Sequence, residues 1–278
     1  MATGGVIVNA DASQVYRDLR ILTARPSAED EARAEHRLYG MVDAATAFSA
    51  ADWAACARRE VAAIHEAGRL PILVGGSGLY IRTLLDGIAP VPPIPDDIRD
   101  MVRAMPVEAS RAALEVEDPA AAAGLGPRDT ARIARALEVV RATGRSILHW
   151  REQRSGGIAA SVRLHPLVVD APADQLYQRC DERLRAMVDS GALDEVSALM
   201  TRQLDPNLPA MRAIGVPPLA AFLRGEVDLP AALAAAGQAT RNYAKRQRTW
   251  FRHQVPADWP RGAGSEADYY LNSLLGEI

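Results

Sequence analysis

Cysteine is nearly absent from the 278-residue sequence: Cys56 and Cys180 stand far apart, each inside a helical pattern. They can build neither a disulfide framework nor a four-cysteine zinc site, and a reducing cytoplasm is the simplest expected setting. The five histidines (His36, His65, His149, His165 and His253) are scattered, with none at the His-Glu-x-x-His spacing of a zinc hydrolase. No Gly-x-Ser-x-Gly elbow occurs, so serine-triad chemistry has no nucleophile. No apolar run is long enough to span a bilayer, and no membrane partner is expected. The first residues carry neither a basic n-region nor an apolar h-region, so no secretory signal is expected. Phenylalanine is scarce, internal repeats are absent, and the net charge is only -3. A nucleic-acid partner would therefore have to meet a local basic patch.

What is present begins with two short apolar runs that end in polar or glycine-rich backbone. Gly5 to Val8 reads as a buried parallel strand, and Asp11 follows at its carboxyl end. Leu70 to Val74 reads as a second strand and runs into Gly75-Gly76-Ser77-Gly78. Ligands of α/β sheets bind at the carboxyl ends of the strands, so the two tips are expected to form two walls of one site. Ser49 and Asp52 form a capping box for a helix whose apolar face is Trp53, Ala57, Val61 and Ile64, closed by Gly68.

Prolines crowd residues 88 to 95 and mark a boundary. The expectation is a core α/β domain over 1–95 and 161–278, with a helical insertion over 96–160. Within the insertion, Asp129 is expected to cap a helix carrying Ile133, Leu137 and Val140, ended by Gly144, and Arg154 to Gly157 reads as a flexible link. Arg163 to Val169 returns as a strand. An amphipathic helix with Leu176, Cys180, Leu184 and Met187 follows, interrupted at Gly191, and a long helix runs from Ala232 onward.

Several residue sets carry chemistry. Asp11 at a strand tip can accept a proton from a substrate nitrogen or meet a metal-bound phosphate, or it can simply cap the next turn. The Gly75–Gly78 turn lets backbone approach a polar ligand, and the Ser77 hydroxyl can bond a phosphate oxygen or an exocyclic amine. Arg132 and Arg135 share a helix face and suit phosphates, although a solvated face with Asp129 explains them equally well from the residues alone. Arg241, Lys245, Arg248 and Arg252 fall at i, i+4, i+7 and i+11 of the last helix, with Arg246 adding to the charge and no acid between them. Tyr243, Gln247 and Trp250 lie on a different face and can anchor it. A cationic stripe interleaved with aromatics suits a nucleic-acid backbone.

Taken together, seven collinear stretches resemble the bacterial tRNA dimethylallyltransferases, the isopentenyl-diphosphate:tRNA transferases. They are Asn9 to Tyr16, Thr23 to Pro26, Phe48 to Asp52, Val74 to Tyr80, Asp129 to Glu138, Ala213 to Gly215 and Thr240 to Gln247. The resemblance implies an α/β, P-loop-kinase-like parallel sheet flanked by helices, with an inserted helical subdomain that grips the tRNA anticodon stem-loop. It implies transfer of a dimethylallyl group from dimethylallyl diphosphate to N6 of the adenosine just 3′ of the anticodon, in tRNAs reading codons that begin with U. Mg²⁺ is the implied cofactor, held through the diphosphate rather than by a protein cage, and a cytoplasmic monomer is expected.

By the same resemblance, Asp11 is the general base and Ser77 lies in the channel where the two substrates meet. Asp11, Ala12, Ser13, Gln14, Ser77, Arg99, Ala131, Arg132, Ile133, Ala134 and Arg135 contact the tRNA. Lys245, Arg248 and Arg252 of the basic stripe join them as expected tRNA contacts. Arg212 holds the diphosphate, with Gly75 and Gly76 as backbone donors. Ala12 stands where the family usually has serine, and Ser77 where it usually has threonine. Family members open with a strand and a Gly-x-x-x-x-Gly-Lys-Ser/Thr phosphate loop ahead of the matching aspartate. The sequence begins at a point past that loop, so the first strand and its helix are expected to be absent. A catalytically impaired tRNA-binding relative is the alternative expectation.

Overall fold

Val6 and Val8 are wholly buried on one face of β1 (Val6–Asn9), as a β-branched run in a parallel sheet should be. β1 is the middle strand of three, with β2 (His36–Arg37) on one side and β3 (Pro71–Val74) on the other. All pairings are parallel, and Asn9 lies opposite Val74. This is a computed structural model, and it describes residues 4–263. The chain divides into two compact units, one of Met1–Arg82 with Val162–Ile278 and one of Thr83–Ser161.

In the first unit, α1 (Ala28–Arg33) precedes β2, and α2 (Ala50–Glu66) connects β2 to β3. The expected capping box at α2 forms in both directions, the Asp52 amide donating to Ser49 Oγ at 3.2 Å and the Ser49 amide to Asp52 Oδ2 at 2.9 Å. Trp53, Ala57, Val61 and Ile64 are all buried. Trp53 also donates its indole N–H to the Asn9 carbonyl at 2.9 Å and stacks on Tyr80 with ring centroids 4.6 Å apart. That ties α2 to the tip of β1 and to α3 (Gly78–Asp86), which leads into the second unit.

The second unit holds α4 (Asp96–Ala104), α5 (Val107–Glu117), α6 (Pro119–Ala123), α7 (Thr130–Thr143) and α8 (Ile147–Glu152). Val102, Leu114, Ile133, Leu137, Val139 and Ile147 make its core. Glu138 is 3% exposed on α7, held by Arg103 at 3.2 Å and Arg135 at 3.4 Å. A buried carboxylate needs such partners to stay charged. Three details differ from expectation here. The unit begins at Thr83, ahead of the proline-rich stretch rather than after it. Arg154 to Gly157 is no free link: Ser155 and Ile88 exchange backbone hydrogen bonds at 3.0 and 3.1 Å, and the Ile158 amide reaches the Leu84 carbonyl at 3.0 Å. A Cβ on Gly87 would sit 2.2 Å from the Ser155 oxygen, and one on Gly157 2.3 Å from the Leu85 oxygen, so the glycines permit two backbones to touch. Asp129 stands at the N-cap of α7, but its carboxylate bonds the Gly126 amide rather than a helix amide.

Back in the first unit, the strand expected over 163–169 is confined to β4 (Val168–Asp170), which pairs in parallel with β5 (Arg261–Ala263). α9 (Ala173–Asp189) and α10 (Ala192–Thr201) meet at Gly191, whose φ of 103° breaks the helix. α11 (Val216–Leu223) and α12 (Leu229–His253) complete it, α12 opening on the side-chain cap of Asp228. Among the described residues no helix is long and apolar enough to cross a membrane.

Candidate active site

The register of β1 on β3 sets the two strand tips side by side, Asp11 two residues beyond Asn9 and Ser77 three beyond Val74. The Ala12 amide donates to Ser77 Oγ at 2.8 Å, and the Ser77 amide donates to the Ala10 carbonyl at 3.2 Å. Asn9 shapes the Asp11 side of this junction. Its side chain is wholly buried, receives the Asp11 amide at 2.8 Å, and donates to the Asp11 and Leu38 carbonyls at 3.0 and 3.1 Å. Every polar atom of that amide is used, as burial demands. Asp11 then turns one carboxylate oxygen to the Ser13 amide at 2.8 Å. Its other oxygen makes no hydrogen bond among the described residues and keeps its lone pairs to accept one.

Three phenols surround that charge. Burial, reinforced by the Asp11 carboxylate, pushes the Tyr39 hydroxyl up to about 12. Burial likewise raises Tyr80 and Tyr243, with the Asp11 charge adding to both. All three are neutral at physiological pH and can donate hydrogen bonds. Tyr39 also lines a cavity of about 500 Å³ with Ile7, Gln14, Arg25 and Val74.

The glycine turn answers to packing as much as to any ligand. None of Gly75, Gly76 and Gly78 has a positive φ. A Cβ on Gly75 would lie 2.2 Å from the Ala10 carbonyl carbon, so the turn can press against the end of β1 only as glycine. Gly76 and Gly78 leave room for α12 instead: added Cβ atoms there would meet the Gln247 amide at 2.2 Å and the Trp250 ring at 2.3 Å. Gln247 donates to the Gly76 carbonyl at 3.0 Å. Gln247 and Trp250 thus form the roof of the turn, on the α12 face that also carries Tyr243. The amides of Gly75 and Gly76 donate to no carbonyl among the described residues and remain available.

The other expected site residues divide. Gln14 gives its amide nitrogen to the Thr23 and Ala24 carbonyls at 2.9 and 2.8 Å, which fixes a turn where Ala24 has a φ of 53°. Ala12 and Ser13 lie within the Asp11 turn. Arg212 is exposed, its backbone amide reaching Leu208 and Pro209, and its guanidinium has no hydrogen bond among the described residues. On α12 the basic stripe is not uniform. Arg241 forms a two-pronged pair with Asp181 of α9 at 2.8 and 2.9 Å, and Arg248 pairs with Asp170 of β4 at 3.0 Å. The expectation that no acid neutralises the stripe is therefore corrected, because the acids arrive from other elements. Lys245 and Arg252 have exposed side chains without an ion pair among the described residues. In the second unit, Arg99 pairs with Asp96 at 2.7 Å and Arg132 with Asp129 at 3.5 Å, while Arg135 divides itself between solvent and Glu138. Ala131 is exposed beside them, Ala134 is half-buried, and Ile133 is wholly buried in the core, which leaves only its backbone for contact.

Sequence reasoning passed over Asn9 and Tyr39, and it treated Gln247 and Trp250 as anchors without seeing what they hold. The spacing i, i+4, i+7 of Tyr243, Gln247 and Trp250 was the available signal.

A parallel sheet presenting an acceptor carboxylate beside a donor-rich glycine turn defines an α/β group-transfer scaffold. The profile of the IPP transferase family matches residues 14–254. The tRNA dimethylallyltransferase of Novosphingobium aromaticivorans is 60% identical over 256 residues, covering 92% of this chain and 91% of that one. That of Sphingopyxis alaskensis is 61% identical, covering 92% and 84%. The crystal structure of the tRNA isopentenylpyrophosphate transferase of Bacillus halodurans superposes with a TM-score of 0.69 at 30% identity, covering 99% of this chain and 90% of that one. A eukaryotic dimethylallyltransferase acting on tRNA shares the fold at a TM-score of 0.75 and 23% identity, over 90% of this chain and 64% of that one. This chain belongs to the IPP transferase family.

Proposed function

We propose that this chain transfers a dimethylallyl group from dimethylallyl diphosphate to N6 of the adenosine 3′-adjacent to the anticodon, in tRNAs reading codons that begin with U. The observation that carries the reading is the junction of Asp11 with the Ser77 turn, where an unpartnered carboxylate oxygen meets free backbone amides. The names of the relatives supply the substrate class.

The chemistry follows from those groups. The adenine is unstacked so that its exocyclic amine reaches the strand tips. The N6 lone pair attacks the allylic carbon while the carbon–oxygen bond to diphosphate breaks and its electron pair leaves with the bridging oxygen. The surplus N6 proton passes to the unpartnered oxygen of Asp11, a general-base step worth about 10²–10⁴-fold in related settings. Negative charge growing on the diphosphate meets the Gly75 and Gly76 amides and Arg212. Among the described residues no cluster of three His, Cys, Asp or Glu side chains could hold a metal ion. Mg²⁺ would accordingly be carried by the diphosphate oxygens as their counterion, and no step here passes through it. Arg99, Arg132 and Arg135 of the helical unit, and Lys245 and Arg252 of α12, supply cations for the RNA backbone. Work on tRNA as a cytoplasmic monomer completes the reading.

The test is to incubate the chain with radiolabelled dimethylallyl diphosphate, Mg²⁺ and an anticodon stem-loop RNA. Label in the RNA, with one diphosphate released per group transferred, is the expected result, and the same RNA with purine in place of the target adenine should take none. RNA binding without any label would reduce the protein to a binding relative.

A further inference from the structure

We propose that Glu138 is a positioning residue that holds Arg103 and Arg135 side by side as a two-arginine clamp for the RNA backbone, which makes Arg103 a further phosphate contact. The inference rests on the transfer reading above and names the part of the helical unit that grips the RNA.

Glu138 is 3% exposed on α7, and each of its oxygens takes a different guanidinium. Oε1 accepts from Arg103 Nε at 3.2 Å and Oε2 from Arg135 Nη1 at 3.4 Å. Arg103 comes from the last turn of α4, whereas Arg135 lies one turn before Glu138 on α7 itself. Keeping one buried carboxylate charged requires less than this, because a single arginine can face both oxygens with two parallel N–H bonds. Here two arginines serve it, and the trio carries a surplus positive charge. An arginine has five N–H donors, and each of these two spends one on Glu138. Neither makes any other hydrogen bond among the described residues. Both side chains also reach solvent, Arg103 at 64% exposure and Arg135 at 45%.

Electrostatics gives the arrangement a purpose. Two neighbouring guanidinium groups repel each other, and a free arginine side chain has much rotamer entropy to lose. A buried carboxylate between them offsets the repulsion and fixes both groups before a ligand arrives, so binding loses less entropy. The N–H groups left over form forks that donate and never accept, which suits phosphate oxygens. The surroundings favour RNA over an isolated anion. Arg99 stands one turn before Arg103 on α4, and Arg132 one turn before Arg135 on α7, so the clamp is continued by further cations. Their own acids, Asp96 and Asp129, are 87% and 41% exposed, and surface pairs of that kind yield readily to a phosphate. Glu138 is the buried and therefore fixed member of the set.

The experiment compares Arg103→Ala, Glu138→Gln and their double variant with the unmodified chain. It measures binding of anticodon stem-loop RNA across a salt series with no prenyl donor present, and thermal unfolding of each protein. Arg103→Ala should weaken binding about 3–10-fold and flatten the dependence of log affinity on log salt by about 0.7–0.9, the value of one phosphate contact. Glu138→Gln discriminates by sign. It removes a negative charge, so net charge alone would tighten RNA binding, whereas loss of the positioning carboxylate should weaken it severalfold. In the Arg103→Ala background the same change should cost less, because Glu138 acts through the arginines. Tighter binding by Glu138→Gln, or a folded Arg103→Ala protein with unaltered affinity and salt slope, overturns the proposal. So does weakened binding of magnesium pyrophosphate with RNA affinity intact, which would give the clamp to the small substrate. Should Glu138→Gln unfold below the assay temperature, Arg103→Lys decides instead. It keeps the charge and loses the fork, so weaker RNA binding supports the clamp and equal binding overturns it. None of these measurements needs turnover, so a chain that binds RNA and transfers nothing fails the transfer reading alone.

Discussion

Ser77 Oγ and the Ala12 amide stand 2.8 Å apart across 65 residues of sequence, one at the tip of β3 and the other at the tip of β1. This single bond joins the carboxylate wall to the glycine wall. It forms because the strands pair in a register that brings Asn9 opposite Val74. It also needs Gly75, whose missing side chain lets the turn lie against Ala10.

Gly75→Ala should therefore be costly even without substrate. Its methyl would meet the Ala10 carbonyl carbon at 2.2 Å, a backbone atom that cannot step aside. Overpacking of this kind costs about 1–3 kcal/mol. Denaturant unfolding should show a lowered midpoint, and transfer should fall in the same variant. An unchanged midpoint would mean that the two walls are less closely joined than this contact requires.

The strand tips and the capping box were legible because their causes are local. A β-branched run makes β1, and Ser49 and Asp52 sit three residues apart on one turn. The partners of α12 were not legible. Asp181 lies 60 residues before Arg241 and Asp170 lies 78 before Arg248, so no window on the helix reveals that half the basic stripe is neutralised. Glycine misled in two ways. Gly156 and Gly157 suggested freedom where backbones are pressed together. Gly76 and Gly78 suggested a ligand where an aromatic helix face lies down. In both cases the cause is a neighbour distant in sequence, and composition carries no trace of it.

The division of α12 gives a separable outcome. Arg241→Ala should lower stability, since Asp181 loses the partner that ties α9 to α12, with little change in RNA affinity. Lys245→Ala and Arg252→Ala should leave stability alone and weaken RNA binding. Each should flatten the dependence of log affinity on log salt by about 0.7–0.9 per lost phosphate contact. Lys245 is the sole lysine of the sequence, so an amine-acylating reagent reports on it and the N-terminus alone. Stem-loop RNA should protect it, and acylation at an undiminished rate in saturating RNA would remove α12 from the interface.

Alkaline pH offers a third check. Tyr39 in the folded chain titrates near 12, against 10.0 for an unhindered phenol. Its folded pKa is the higher one, so its contribution to stability is complete below about pH 10 and declines as pH rises toward 12. The melting temperature should fall through that window, and Tyr39→Phe should reduce the fall. An identical pH profile in the variant would show that the phenol is not shielded beside Asp11.

Asp11 is the residue on which proton transfer from the amine depends most directly. Asp11→Asn keeps the size and the Ser13 hydrogen bond of the side chain but cannot take a proton from an amine. In single-turnover transfer of labelled dimethylallyl to stem-loop RNA, the variant should be slower by about 10²–10⁴-fold, with RNA affinity measured in parallel unchanged. Transfer at the full rate by Asp11→Asn would contradict the assignment of the β1 tip as the place where the amine gives up its proton.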